Sequence, residues 1–486
     1  MYKIAIANTD IVLTAQAGKN LMELLREKGL LSDAPCGGRG TCGKCKVLAD
    51  GKEVLSCQTV VDRDMTVTLP EKRQAEILTG SVRVAVRADG AADYVLAIDI
   101  GTTTVVAYLL NGHTGDILAQ ASCINPQTQF GADVISRIEY VLAGNAEQMK
   151  TVIRTALAEL TRKAAAKAGI AAEQIGIAAI VGNTAMHHLL LGIDPKPLTV
   201  PPYMPKVFDA LELEPEGLLP IAKDGKVRLL PNIAGFVGAD TVGCMVSTRF
   251  DRQEEMTLMI DIGTNGEMVL GDKDHSIACS TAAGPAFEGA RISCGMRGEK
   301  GAVDHVWLEK GKVCYSVIGD GKAVGLCGSG LLDLVAVLLQ TGDIDEMGHM
   351  DEPEYTLEGS EVTLTQKDVR EVQLAKAAIR AGIELMAQRR GISTDDIQKV
   401  YLAGAFGNYM DPKAACAIGM IPPQLLERIQ PIGNAAGEGA KLCALSLEEY
   451  RYSQKLAKTV EFLELASMPQ FNDCYVDCLA FEEEEE

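Results

Sequence analysis

The chain has 486 residues, 47% of them hydrophobic and 23% charged, an ordinary globular balance that excludes disorder along the whole chain and a small disulfide scaffold. At roughly 150 residues per domain, about three domains are expected. Lys and Arg number 46 against 66 Asp and Glu, and the resulting net charge of −20 repels phosphate backbones and acidic lipid, so neither nucleic acid nor a membrane is an expected partner. The opening residues carry no apolar core of a secretion signal, and the most apolar long stretch, Val95–Leu110, is interrupted by Asp99. The expectation is a cytoplasmic chain without a transmembrane helix. In that setting the 14 cysteines should be reduced, buried or metal-bound rather than paired in disulfides. Residues 482–486 are all Glu and read as a solvated acidic tail.

Residues 1–70 read as a compact β-rich unit. Tyr2–Ala7 and Ile11–Thr14 form a strand pair; Asn20 then caps a helix with Leu21, Leu24 and Leu25 on one face, and Gly29 stops it. A Gly-rich loop follows, then short strands near Lys46–Leu48, Val54–Ser56 and Met65–Leu69, with Pro70 closing the unit. Residues 71–93 are charged and weakly patterned and read as a linker holding one strand at Ser81–Val86. From Tyr94 strands alternate with helices. Ala146–Ala168 is a long helix ended by Gly169, and Val369–Arg390 is another, preceded by the cap pair Thr365 and Asp368 and ended by Gly391. The apolar runs Gly176–Val181, Leu258–Ile262 and Lys399–Leu402 suit buried strands. Ile98-Asp-Ile-Gly-Thr102 recurs as Ile260-Asp-Ile-Gly-Thr264, an offset of 162, which predicts that residues 94–481 form one duplicated, two-lobed domain.

Cys36, Cys42, Cys45 and Cys57 stand in a C-x5-C-x2-C-x11-C array. Three thiolates on a loop containing Gly37, Gly38, Gly40 and Gly43 can wrap a small inorganic core, with backbone amides turned toward its sulfurs. Four Cys also suit zinc, but zinc ribbons pair two short knuckles and only one C-x2-C is present here. The array resembles the 2Fe–2S ferredoxin domain of the β-grasp type, an α+β fold. That resemblance covers about the first 70 residues and implies that these four cysteines are the ligands of a cluster transferring one electron near −400 mV.

No G-x4-G-K-(S/T) loop occurs. The repeated D-I-G-T is more informative. A carboxylate at the end of a buried strand can face a divalent ion, and the Gly turn and hydroxyls after it can cradle phosphate oxygens. Asp99 with Gly101, Thr102, Thr103 and Thr104, and Asp261 with Gly263, Thr264, Asn265 and Gly266, would clamp a triphosphate and Mg²⁺ from two sides. These turns resemble the two phosphate motifs of the superfamily of acetate and sugar kinases, Hsp70 and actin, whose fold is a duplicated α/β, ribonuclease-H-like ATPase. Leu402-Ala-Gly-Ala-Phe-Gly407 matches its adenosine motif, although Gly404 and Gly407 are separated where the usual pattern has adjacent glycines.

Other segments are distinctive without declaring their chemistry: Asn125–Val134, Val181–Ile193, Pro231–Thr241 and Ala282–Ala290. Asp133 and Asp240 each end a Gly-Ala-Asp triplet and suit helix caps as well as catalysis. His187 and His188 read as structural. Glu288 is balanced between a nucleotide or metal-water contact and a cap, and Cys474 with Cys478 reads as a packed pair. A 2Fe–2S domain ahead of this ATPase type, with these segments, resembles the reductive activators of corrinoid-dependent methyltransferases. The resemblance implies an ATP-hydrolysing oxidoreductase that reduces cob(II) on a partner corrinoid protein to cob(I), fed by a low-potential electron donor; it leaves a homodimer open. Longer members carry a middle domain where only residues 71–93 intervene here. Two other readings are an activator of a radical dehydratase, disfavoured by the complete four-Cys array, and a ferredoxin tethered to a chaperone-like scaffolding ATPase.

Overall fold

The computed structural model describes the chain apart from residues 8, 10, 29, 31–39, 41–44, 70–75, 80, 81, 132, 290, 320 and 482–486. Cys36, Cys42, Gly29, Pro70, the start of the expected linker and the acidic tail therefore lie outside the described residues. The chain divides into two compact units, Met1–Gln74 and Ala75–Glu486.

In the first unit, β1 (Tyr2–Ile6), β2 (Val12–Ala15), β3 (Lys46–Ala49), β4 (Lys52–Leu55) and β5 (Met65–Thr68) form a sheet of order β2-β1-β5-β3-β4. β1 and β5 are parallel and the other neighbours antiparallel. Ile4, Ile6, Val47 and Val67 alternate onto the face covered by the helix Leu21–Glu27, whose Leu21, Leu24 and Leu25 are buried against them. Asn20 Oδ1 accepts from the amides of Met22 and Glu23 at 3.0 and 3.3 Å, which starts the helix where the sequence placed its cap. This is the β-grasp arrangement expected of a ferredoxin domain.

The second unit opens with a hairpin, β6 (Glu76–Thr79) and β7 (Val82–Ala85). The hairpin lies against the helices Ala239–Thr248 and Ala435–Leu445. Val86 is buried beside them, and the Asp89 amide donates to Leu445 O at 3.0 Å. From Glu76 onward the segment expected to be a linker is thus part of the second unit.

Two six-stranded sheets follow. The first contains β8 (Tyr94–Ile100), β9 (Thr104–Asn111), β10 (Ile117–Ile124), β11 (Ile175–Gly182), β12 (Leu211–Leu213) and β13 (Lys226–Leu229), in the order β10-β9-β8-β11-β13-β12. The second lobe starts with β14 (Thr257–Ile262), β15 (Gly266–Gly271) and β16 (Ser276–Thr281). The small sheets of β17 (Ala302–Glu309), β18 (Lys312–Val317) and β19 (Gly325–Leu326), and of β20 (Glu354–Thr356) and β21 (Thr363–Thr365), are inserted next. β22 (Lys399–Ala403), β23 (Ile429–Gly433) and β24 (Val460–Phe462) complete the order β23-β22-β14-β15-β16-β24. Each sheet holds an antiparallel meander followed by two strands parallel to its first: β8 with β11 and β13, β14 with β22 and β23. The repeat read in the sequence is therefore a repeat of topology.

Both faces of β8 and β14 are buried. Leu96, Ile98 and Ile100 pack outward in the first lobe, and Leu258, Ile260 and Ile262 do so in the second. The opposite faces, with Val95, Ala97 and Met259, share one core with the helices Ala239–Thr248 and Ala435–Leu445. Those helices cross closely: a Cβ on Gly439 would lie 2.1 Å from Gly243 O, and one on Gly243 would lie 2.8 Å from Ala436 O. Period-two alternation puts Asp99 and Asp261 on this shared face. Among the described residues no helix is long and apolar enough to cross a membrane.

Candidate nucleotide and iron–sulfur sites

The carboxyl ends of β8, β11, β14, β22 and β23 carry Asp99, Asn183, Asp261, Gly404 and Asn434 into the two chain turns that follow the repeated motif. Ligands of α/β sheets bind at such ends. Gly101 N donates to Thr104 O at 2.9 Å and closes the first turn, where a Cβ on Gly101 would meet that oxygen at 2.7 Å. Gly263 N donates to Asn265 O at 2.9 Å and closes the second. Gly266 begins β15 with no room for a side chain, since Thr281 Oγ1 would lie 2.9 Å from its Cβ.

Four carboxyls here are coupled by charge. Burial pushes Asp99 up to about 7, opposed by the hydrogen bond from Asn434 Nδ2 to Asp99 Oδ2 at 2.9 Å and reinforced by the charge of Asp261. Burial pushes Asp261 up to about 6, and Cys244 Sγ stands 3.7 Å from its Oδ2. Asp240 and Glu267 are raised by burial first; the charge of Asp261 adds to both, that of Asp99 to Asp240, and that of Asp240 to Glu267. Among the described residues no three carboxyl, thiol or imidazole groups stand so that they could hold a metal ion between them; a hard cation such as Mg²⁺ needs only one or two carboxylates when phosphate oxygens and waters complete its shell, and desolvated carboxylates that oppose each other's ionisation suit that part.

The segments whose chemistry the sequence left open hold the first turn in place. Asn125 Nδ2 donates to Gly101 O at 2.9 Å, and the Asn125 amide donates to Thr103 O at 2.8 Å. Asn183 Nδ2 donates to Thr102 Oγ1 at 3.1 Å while its Oδ1 caps the helix Thr184–Leu191 through Met186 N. Arg137, fully buried, donates from Nη2 to Thr102 O at 2.6 Å and from Nε to Gly131 O at 2.9 Å; burial pushes it down to about 10. Glu288 joins the lobes: Oε2 accepts from Thr103 Oγ1 of the first turn and Oε1 from Thr264 Oγ1 of the second.

The two Gly-Ala-Asp triplets part company. Asp133 caps the helix Val134–Tyr140 through Ser136 N at 2.8 Å, whereas Asp240 lies inside the first turn of its helix and faces the carboxyl cluster. Gly404, at φ +86°, backs onto Asp261, whose Oδ1 would sit 2.5 Å from a Cβ there. Nothing comparable constrains Gly407, and Phe406 between them stacks on Phe287 at 5.0 Å. His188 is a satisfied structural residue, with Nδ1 at 2.8 Å from Thr184 O and Nε2 accepting from Lys206 N at 3.1 Å. Buried His187 is pushed down to about 3, first by burial, and its Nε2 has no hydrogen-bond partner among the described residues. Cys474 and Cys478 interact with each other on the helix Phe471–Asp477 and its cap, far in the chain from any other assigned group.

In the first unit, Cys45 and Cys57 are buried and their sulfurs are 3.2 Å apart, yet neither is in a disulfide. Asn20 Nδ2 fixes the Cys57 carbonyl at 2.8 Å, and Gln58 Nε2 points at Cys57 Sγ at 3.7 Å. Gly40 takes φ +81° with the Gln58 side chain against it. Two adjoining reduced thiols with an amide donor beside them fit shared coordination of an iron–sulfur core.

Comparison with known proteins agrees with this division of chemistry. Residues 4–67 match the family model of the 2Fe-2S iron-sulfur cluster binding domain, 94–253 that of the RACo middle region, and 255–486 that of the C-terminal ASKHA domain of RACo. The family's middle region and C-terminal domain thus divide at the boundary between the two lobes, and the expectation that this chain has only residues 71–93 where longer members carry a middle domain is corrected to this extent: the middle region the family model describes is present, as the first lobe. The corrinoid activation enzyme RamQ of Eubacterium limosum is 39% identical over 413 residues, covering 79% of this chain and 69% of its own. The Co(II) methylated amine-specific corrinoid protein reductase of Methanosarcina barkeri is 32% identical over 302 residues, covering 57% of this chain and 55% of its own. A solved reductive activator for corrinoid, iron-sulfur protein superposes with a TM-score of 0.75 at 28% identity, over 100% of this chain and 99% of that one. With an iron–sulfur domain and a duplicated ATPase-type fold in that order, the chain belongs to the RACo family of corrinoid activators.

Proposed function

We propose that this chain uses ATP and Mg²⁺ to drive one-electron reduction of an inactive cob(II) cofactor on a methyltransferase corrinoid protein to cob(I). The observation that carries the nucleotide half is that hydroxyls of both D-I-G-T turns converge on a single carboxylate, Glu288, while the aspartates of the same two motifs are buried and raised. On this reading Asp99 and Asp261 hold the cation, and the charges of Asp240 and Glu267 add to the local field. On the same reading Thr102, Thr103, Thr104, Thr264 and Asn265, with the amides of Gly101, Gly263 and Gly266, take phosphate oxygens. Gly404 lets the 404–407 segment approach the nucleotide side of Asp261. Cys36, Cys42, Cys45 and Cys57 are the proposed cluster ligands. A 2Fe–2S cluster held there supplies single electrons at low potential.

The names of the relatives support the corrinoid protein as the electron acceptor rather than a dehydratase. The test is spectroscopic: loss of cob(II) with candidate corrinoid proteins, ATP, Mg²⁺ and a low-potential reductant. Cob(I) should form only when all are present, and ATP hydrolysis should respond to the corrinoid protein. ATP turnover indifferent to every corrinoid protein, with no cob(I), would leave the scaffolding ATPase instead.

A further inference from the structure

Glu288 occupies the place where the two phosphate turns meet, and neither turn supplies it. It ends the short turn Ala286–Glu288, which follows Gly284-Pro285 and is closed by Gly289 at φ +79°. A Cβ on Gly289 would lie 2.5 Å from Met296 O, so the backbone behind Glu288 is tightly backed. Ala286 and Phe287 are buried, whereas Glu288 is half-buried. Phe287 stacks nearly parallel on Phe406, with centroids 5.0 Å apart and planes 8° apart, and its carbonyl would lie 1.9 Å from a Cβ on Gly328. One short loop therefore touches both phosphate turns, the 404–407 segment and the start of the helix Gly328–Thr341.

A carboxylate with each oxygen accepting one threonine hydroxyl uses the same donors, in the same way, as two oxygens of a phosphate would. Hydroxyls given to Glu288 are not free for phosphate, and two anions cannot share the seat without strong repulsion. We propose that Glu288 is an internal stand-in for phosphate: a positioning residue that latches the two lobes when no nucleotide is bound and is displaced when phosphate enters. Its release frees the loop carrying Phe287, and so signals phosphate occupancy to the 404–407 segment. This rests on the nucleotide-binding reading above and adds to it an exchange of one anion for another.

The test compares binding of ATP–Mg²⁺ and of inorganic phosphate to the full chain and to Glu288→Gln. The amide keeps the shape but removes the charge and one acceptor, so phosphate competes with a weaker occupant. Both affinities should rise, with Kd falling about tenfold, since bonds to a charged acceptor are about twice as strong as neutral ones. Hydrogen exchange on the unaltered chain gives a second readout that needs no variant to fold. On adding ATP–Mg²⁺, residues 101–104 and 263–266 should become protected while 282–289 exchange faster. Unchanged or weaker binding by Glu288→Gln, or protection of 282–289 together with the turns, would overturn the latch and make Glu288 a direct ligand of nucleotide or metal water. If the unaltered chain binds neither ATP nor phosphate, the nucleotide reading itself falls, an outcome distinct from failure of the latch alone.

Discussion

The carboxyl groups near β8 and β14 separate what a local pattern reveals from what only the fold assembles. Asp99 and Asp261 stand in a repeated pentapeptide and were visible as a pair. Asp240, Glu267, Glu288 and Asn434 come from four separate stretches: Asp240 and Glu288 stood in distinctive segments but their spacing left a helix cap as good a reading, and Glu267, next to the second motif, and Asn434 were not singled out. Asp240 shares its triplet with Asp133, yet one carboxyl faces the cluster and the other caps a helix. Replacing Asp261 by Asn should lower ATP hydrolysis about 100-fold at saturating Mg²⁺, because the carboxylate proposed to hold the cation becomes a neutral amide; Asp99→Asn should behave alike, as measured by steady-state phosphate release. His187 yields a second residue-level expectation. Its imidazole is held down to about 3 by burial, with the neighbouring His188 adding to the effect, whereas in the unfolded chain it titrates near 6.5. Between those values the unfolded state binds the extra proton, so stability from this site is present above pH 6.5 and is lost as pH falls toward 3, at up to about 1.4 kcal/mol per pH unit. His187→Leu should flatten the acid limb of a denaturant-midpoint profile between pH 6 and 4. An unchanged slope would mean that His187 is not the group resisting protonation.

At the level of elements, the helices Ala239–Thr248 and Ala435–Leu445 do two jobs with one contact. Their crossing at Gly243 and Gly439 joins the cores of both lobes, and it sets Asp240 at one helix start and Asn434 at the other's cap, against Asp261 and Asp99. Gly439→Ala would push a methyl group into Gly243 backbone, which cannot turn aside as a side chain can. It should cost about 1–3 kcal/mol, and it should weaken Mg²⁺–ATP binding along with stability, read from a urea midpoint and a nucleotide titration on the same protein. The long helices and buried strands were legible because their periodicity and caps are local: Thr365 and Asp368 form the cap pair of Gln366–Arg390, and the predicted strands lie within a residue or two of β11, β14 and β22. Of the hairpin only β7 was, as the expected strand at Ser81–Val86; β6 and the packing of the pair were not. The hairpin packs on two helices more than a hundred residues away in the chain, which its local sequence does not announce. A fragment starting at Tyr94 discards that hairpin, buried Val86 and the Asp89–Leu445 hydrogen bond, and should melt below one starting at Ala75. Equal melting temperatures would show the hairpin to be dispensable.

Across the whole molecule, the separation of chemistries follows the separation of cores. The first unit keeps its own sheet, helix and thiols, and the second holds both D-I-G-T turns with the coupled carboxyls Asp99, Asp240, Asp261 and Glu267. Each should therefore fold alone: residues 1–74 should accept an electron once loaded with iron and sulfide, and residues 75–486 should bind nucleotide. Neither should carry cob(II) to cob(I), and a dilute mixture of the two should not either. In the intact chain only residues 69–75 separate β5 from β6, and a connection that short keeps the units at millimolar effective concentration or above, which free halves cannot reach at assay dilution. The energetic requirement is independent of the tether. A donor at about −400 mV facing an acceptor about 100 mV lower must climb about 2.3 kcal/mol per electron. Binding can supply that difference only if the nucleotide states of the second unit differ in affinity for the corrinoid partner by a comparable amount, about fiftyfold. Cob(I) yield should therefore collapse when a non-hydrolysable ATP analogue replaces ATP under multiple turnover, although a single round of partner binding survives. The informative comparison is cob(I) formation by the intact chain, by each half, by the mixture, and by the intact chain with the analogue. Reduction by residues 1–74 alone, without ATP and at the intact rate, would reject the coupling and reduce the chain to an electron carrier with an idle ATPase fold.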